Sequence, residues 1–364
     1  MRRSKSRART IQRPDGDSSA PTLRATTPAD LLAVVPYLLG FHPRESLVLL
    51  ALHSRRVELV ARVDLPEVSD DPVDWDAAIG RLTDAARSVR PSGVVLIGYS
   101  VAEGRAEAAL DAALDRLDGL PVIEVIHADG RRWWSRRCDD DCCPAEGTRY
   151  VVAESRLAAE AVVAGLSTLP DREDLVSQVA GPPPSELAEL SAEAEAIRID
   201  LATVSRLVRQ RQMQQLVVEA MSTAVPNGSD GPGPFRPVGP DRALCLRLAA
   251  LATDVRVRDV AWSMIDQSSI DHLVLWQTVV RFAPGRLALA PLCLLGIAAW
   301  VGGQGALMVC AFTRALEIDP GYSMARLLCD LNSAAVRPSA WEETAEALRT
   351  ELGVELGVRL GSDA

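Results

Sequence analysis

Hydrophobic and polar positions change their rhythm near residue 155. Before that point, short apolar runs alternate with helical periods. Thr27 or Asp30 is placed to cap a helix whose apolar positions are Leu31, Leu32, Val34, Val35, Leu38 and Leu39. Pro36 argues for a short or kinked helix, and Gly40 ends it. Ser46 to Leu52 reads as a buried strand, with Val57 to Leu65 as its partner across the turn 53–56. Val73 to Val89 is helical, Gly93 to Gly98 (GVVLIG) is a strand covered on both faces, and Arg105 to Leu117 is amphipathic. Val122 to His127 is a further strand, and Asp129-Gly130 turns the chain into a strand over Arg131 to Ser135.

After residue 155 the text is almost entirely helical. A helix starts near Ser155, another near Asp171, and a long one is expected from Glu186 to about Thr223. The stretch 226–240, PNGSDGPGPFRPVGP, reads as a flexible linker. The sequence thus predicts an α/β N-terminal domain, a mixed sheet with flanking helices, followed by an all-α C-terminal region. The boundaries are a disordered basic tail over 1–22, the α/β domain over 23–155, a helical connector over 156–225, the linker, and a helical domain over 241–350. Gly296, Trp300, Ala306, Ala311, Ala315, Pro320, Tyr322 and Ala325 follow the pattern of a tetratricopeptide unit, with RALEIDPGY the clearest piece. One unit does not make an array, so the region is expected to be tetratricopeptide-like.

Composition narrows the function. The net charge of −10 argues against a nucleic-acid partner for the folded body. The tail is the exception, since Arg2, Arg3, Lys5, Arg7, Arg9 and Arg13 precede the first acid, Asp15; it reads as a solvated arm. No apolar stretch follows those basic residues, so the tail is not a secretory leader, and the compartment is expected to be the cytoplasm. Leu287 to Thr313 carries no charged side chain and is long enough to span a membrane. Pro291 and the Gly302–Gly305 region break it, so two buried helices joined by a glycine turn are expected instead.

Three places suggest chemistry. The loop 40–46 sets Phe41, His42, Arg44, Glu45 and Ser46 before a buried strand, either as the lip of a site or as a tight turn with Arg44 and Glu45 solvated. Arg62 and Asp64 are two apart on a strand and share one face, as an ion pair or the floor of a polar pocket. The twenty residues 131–150, RRWWSRRCDDDCCPAEGTRY, hold Arg132, Trp134, Glu146 and the thiols Cys138, Cys142 and Cys143. Trp133 and Trp134 face opposite ways if they lie on a strand: one in the core and one as a stacking surface, unless both pack beneath the thiol loop. The three cysteines, with His127 as a fourth ligand, suggest a zinc site, although a second C-x-x-C pair is missing. A disulfide or simply packed thiols are the other readings. No Walker loop, G-x-G-x-x-G, G-x-S-x-G or H-E-x-x-H is present.

The segments PADLLAVVPYLLGFHPRESLVLL, RVDLP, RRWWSRRC with CCPAEGT, RDVAW and AAWVGGQGALMVCAFTRALEIDPGYSMARLL together resemble the uncharacterised actinobacterial family known as domain of unknown function 4192. The resemblance covers most of residues 23 to 341 and implies no activity. The first expectation is therefore a cytoplasmic, non-catalytic interaction or regulatory protein with an unknown protein partner. The alternative is an enzyme or small-ligand binder whose pocket gathers the 40–46 loop, Arg62, Asp64 and the 132–147 loop. A zinc-stabilised module is the third reading.

Overall fold

The computed structural model describes residues 9–11, 23–54, 56–66, 72–138, 143–164, 166–223, 240–266 and 269–354. The chain divides into two compact units, Met1–Asp174 with Leu331–Val336 and Leu175–Asp330 with Arg337–Ala364.

In the first unit, β1 (Arg9–Ile11), which falls within the stretch 1–22 expected to be disordered, pairs antiparallel with β2 (Leu23–Ala25). The rest of that basic tail lies outside the described residues. Helix α1 (Pro28–Leu39) starts at a capping box. Thr27 Oγ1 accepts the Asp30 N–H at 3.1 Å, and the Asp30 carboxylate accepts the Thr27 N–H at 3.0 Å. Pro36 lies inside the helix and does not end it; Gly40 does, with φ +83° and its N–H on the Pro36 carbonyl.

The main sheet follows. Its elements are β3 (Ser46–His53), β4 (Arg56–Asp64), α2 (Pro72–Ser88), β5 (Gly93–Tyr99), α3 (Glu103–Arg116), β6 (Val122–Ala128), β7 (Arg132–Ser135) and β8 (Thr148–Arg149). The strand order is β4-β3-β5-β6-β7-β8. Only β5 and β6 run parallel, joined by the crossover helix α3, and every other pair is antiparallel. Continuous apolar strands such as SLVLLAL arise because both faces are covered. Leu47, Leu49, Val94, Leu96 and Val125 pack with Ile79 and Leu82 of α2 and Ala109 and Leu110 of α3. Val48, Leu50, Val95, Ile97 and Ile126 on the other face are fully buried as well. Gly98 lets α3 approach, since a Cβ there would stand 3.2 Å from that of Ala106. Helix α4 (Arg156–Val163), capped by Ser155, packs against α1 within this unit.

Helix α5 (Arg172–Ser177) straddles the boundary. The long helix expected from Glu186 is two helices, α6 (Leu187–Ala202) and α7 (Arg206–Thr223). The break is a side-chain effect: Thr203 Oγ1 donates to the Asp200 carbonyl at 2.7 Å, and Ser205 Oγ caps the next helix by accepting the Val208 N–H. The linker residues 226–239 lie outside the described residues. Next come α8 (Arg242–Leu251), α9 (Val255–Ser263), α10 (Ser269–Phe282), α11 (Leu289–Val301), α12 (Gly305–Ile318), α13 (Ser323–Ser333) and α14 (Ala340–Leu352). The charge-free run forms α11 and α12, with the turn at Gly302–Gln304. Gly296 lets them close, because a Cβ there would lie 2.1 Å from the Phe312 ring. Among the described residues, no helix is long and apolar enough to cross a membrane.

Candidate functional site

Strand register brings several loops to one end of the sheet. Ser46 lies opposite both Asp64 and Tyr99, Tyr99 opposite Ala128, and Ala128 opposite Trp133. The carboxyl ends of β4, β5 and β6 therefore meet the amino ends of β3 and β7. The ends of parallel strands are where α/β proteins commonly hold ligands.

On one face, Arg62 and Asp64 point the same way and form an ion pair. Arg62 Nε donates to Ser46 Oγ at 2.9 Å, and the Ser46 hydroxyl donates to the Arg44 carbonyl at 2.5 Å. The Arg62 guanidinium lies 5.6 Å from the centre of the buried Phe41 ring, within cation–π range. The loop is pinned from outside: the His42 N–H donates to the Leu169 carbonyl at 3.0 Å, and the Leu169 N–H to the Gly40 carbonyl at 2.8 Å. His42 is half-buried and Arg44 exposed. Burial, then the Arg44 charge, holds the His42 imidazole below its ordinary pKa.

The other face is organised by the acid of the 40–46 loop, which is part-buried and not solvated. Glu45 has φ +40°, a left-handed backbone that non-glycine residues seldom adopt. Its carboxylate accepts from Ser100 Oγ at 2.9 Å and the Val101 N–H at 3.2 Å, and pairs with Arg105 at 2.9 Å. This places an acid at the start of α3, whose N-cap Ala102 supplies no side-chain bond. Arg105 also donates to the Pro66 carbonyl at 2.7 Å, tying in the end of the β3–β4 hairpin. The Ser100 carbonyl in turn accepts from His127 Nε2 at 2.9 Å, so that nitrogen carries the proton. His127 is buried and stacks on Trp134, its direct cross-strand neighbour, at 4.9 Å. Trp134 Nε1 donates to the Ala145 carbonyl at 3.1 Å, and Arg132 donates to the carbonyls of Glu146 (3.0 Å) and Gly147 (2.7 Å). One signal was available: Ser100 and Arg105 follow a buried strand into a helix start.

The expected residues thus fall into two groups. Phe41, Ser46, Arg62 and Asp64 gather on one face, and Arg132, Trp134 and the Glu146 backbone on the other. Glu45, Ser100 and His127 connect the 40–46 loop to the second group. The Glu146 side chain is exposed, and Cys138 and Cys143 are part-buried. Cys142 lies outside the described residues. Among the described residues, no three His, Cys, Asp or Glu side chains are grouped to hold a metal ion.

Fold and rim together define a two-unit protein, a mixed-sheet α/β unit and a helical unit, with its polar residues gathered at the strand ends. The chain belongs to the family described as Domain of unknown function (DUF4192), whose model matches residues 28–339. No activity is attached to that description. No curated protein and no solved structure matches the chain.

Proposed function

We propose that the chain is a non-catalytic interaction or regulatory protein of the cytoplasm that recognises a partner protein at the strand-end rim. The observation that carries this reading is the mutual pairing of the rim's reactive groups. Glu45 is matched by Arg105 and Ser100, Arg62 by Asp64 and Ser46, and His127 lies between the Ser100 carbonyl and Trp134. Val101, 82% exposed beside the Glu45 carboxylate, adds an apolar contact suited to a protein partner. The helical unit would supply a second surface through tetratricopeptide-like grooves. The net charge of −10 disfavours nucleic acid as that partner.

The test uses the full chain as bait in a lysate of its own cells, beside Glu45→Gln and Trp134→Leu. The expected result is one protein held by the wild type and lost by both variants, with their thermal midpoints still showing a single folded species. Turnover of any metabolite by the purified chain, abolished in His127→Ala, would make it an enzyme instead.

A further inference from the structure

Two arginines face each other across the outer edge of the sheet. Arg132 lies directly opposite Arg149, so both side chains leave the same face. Like charges so placed cost stability, and among the described residues no carboxylate pairs with either. The neighbouring acids are engaged elsewhere: Asp111 pairs with Arg136, and Asp129 Oδ1 accepts the Arg131 and Arg132 N–H groups. The Glu146 side chain is exposed, and so is Arg131, which falls by alternation toward the opposite face. Arg132 is also aimed in advance. Its Nη1 donates to the Glu146 and Gly147 carbonyls at 3.0 Å and 2.7 Å, which fixes the plane of the guanidinium. Nε and Nη2 donate to nothing among the described residues, and the buried unpaired nitrogens of those residues lie elsewhere, so this edge of the fork meets solvent. The same edge grips carboxylates in this chain: Arg198 holds Glu195 through Nε and Nη2 at 2.7 Å each, and Arg242 holds Glu193 at 3.0 Å and 2.7 Å.

We infer that Arg132 and Arg149 bind an acidic segment of the partner protein, one carboxylate sitting in the Nε–Nη2 fork of Arg132 with Arg149 beside it as the second cation. The inference rests on the partner-protein reading and names the chemistry of that partner. Opposite residues on neighbouring strands hold their Cβ atoms about 5 Å apart, so the two guanidinium groups can share one carboxylate or take two in succession. A carboxylate between them turns a mutual repulsion into two attractions. Its two oxygens match the two N–H groups of the fork, whereas an amide offers a single acceptor oxygen. The strand order ends at β8, and among the described residues no strand lies beyond it, so an extended segment can approach from the side. The net charge of −10 disfavours a long polyanion such as nucleic acid.

The experiment titrates a hexaglutamate peptide into the full chain labelled with ¹⁵N in its arginines and follows the Arg132 Nε–H signal, identified by its loss in Arg132→Lys. Hexaglutamine is the neutral control and hexathymidylate the phosphate control. The signal is expected to shift and saturate with hexaglutamate, more weakly as salt is added, and to stay in place with hexaglutamine. Arg149→Glu should weaken the affinity read at that signal by at least about tenfold. Glu146→Gln should bind at least as tightly as the wild type, since it removes an acid beside the fork. In the free protein, Arg149→Glu should keep or raise the urea midpoint, because a like-charge pair becomes an opposite-charge pair. An Arg132 signal unmoved by hexaglutamate, equal affinity in Arg149→Glu, or a lowered midpoint in that variant would overturn the inference. Hexathymidylate binding more tightly at the same signal would assign the fork to phosphate and overturn the acidic-protein class. In the lysate capture, a partner held equally by the wild type and Arg149→Glu would overturn this inference and leave the partner reading standing. No captured protein, with hexaglutamate still bound through Arg149, would end that reading and leave the carboxylate site.

Discussion

His127 and Trp134 face each other across the β6–β7 pairing, their rings 4.9 Å apart and 16° from parallel. The stack fixes both ends of a relay. His127 reaches through the Ser100 carbonyl to the Glu45 carboxylate, and Trp134 reaches through its indole N–H to the Pro144–Gly147 turn. Two loops about a hundred residues apart in the chain are thereby held at one rim.

Gly147 is the position on which that stack rests. A Cβ there would lie 2.4 Å from Trp134 Cε2, and the residue has φ +76°. Gly147→Ala combines overpacking with a left-handed backbone and should cost about 2–4 kcal/mol in urea unfolding. In a Trp134→Ala background the clash is gone and only the backbone cost of about 1–2 kcal/mol remains. Equal losses in the two backgrounds would show that the indole does not press on this turn.

Glu45 sets a backbone cost against a carboxylate gain. Removing the carboxylate from Ser100, Val101 and Arg105 should cost about 1–2 kcal/mol, at the low end for charged hydrogen bonds because the Glu45–Arg105 pair is 38% exposed on each side. Glycine relieves the left-handed conformation, worth about 1 kcal/mol. Glu45→Gly should therefore be more stable than Glu45→Ala, the reverse of the usual order for exposed sites. Chemical denaturation of the two variants decides it, and an alanine variant at least as stable as the glycine one would rule out strain at this position.

Much of the fold is legible because its signals are local. The Thr27–Asp30 cap, the runs SLVLLAL and GVVLIG, and the Asp129-Gly130 turn each act within a few residues, and each appears where the pattern puts it. The opposite facing of Trp133 and Trp134 follows from strand alternation alone. The break between α6 and α7 was not legible, because Thr203, Val204 and Ser205 are each tolerable within a helix and only their joint bonding stops it. Ser100 went unnoticed, and the joining of Glu45 to His127 through it was not legible, for another reason. Their meeting depends on the register between strands that share no local pattern, and that register is a property of the assembled sheet.

Zinc is best tested at the thiols themselves. Among the described residues, no three His, Cys, Asp or Glu side chains are grouped to hold a metal ion. Elemental analysis of the purified full chain should accordingly find zinc well below one equivalent, and a chelator should leave the thermal midpoint unchanged. One equivalent of zinc that disappears in Cys142→Ser would establish the metal module instead.

The rim also carries a pH dependence. Burial, and secondarily Arg44, lowers the His42 pKa from its ordinary 6.5. The unfolded chain therefore takes up this proton at higher pH than the folded one. The stability involved is complete above about 6.5 and is lost as the pH falls through the folded-state value. Arg44→Gln removes the smaller cause, so an NMR titration should show the His42 value rising while remaining below 6.5. A value that stays put would show that burial acts alone.

The helical unit has its own test of buried charge. Arg258 is 8% exposed and donates to Asp259 at 2.6 Å and 3.0 Å, with its guanidinium 5.8 Å from the centre of the Trp262 ring. Two ions so poorly hydrated lose solvation that their attraction only roughly repays, so the pair contributes little net stability while each half depends on the other. Arg258→Met leaves Asp259 nearly buried and unmatched, and should cost about 3–5 kcal/mol. Replacing both, as Arg258→Met with Asp259→Leu, removes the stranded charge and should recover most of that loss, to within about 1 kcal/mol of the wild type. The two variants and Asp259→Leu alone form a double-mutant cycle measurable by urea unfolding. Losses that simply add would mean that the two side chains do not act as a pair, and that the contacts to Trp262 and Tyr322, not the carboxylate, hold Arg258 in the core.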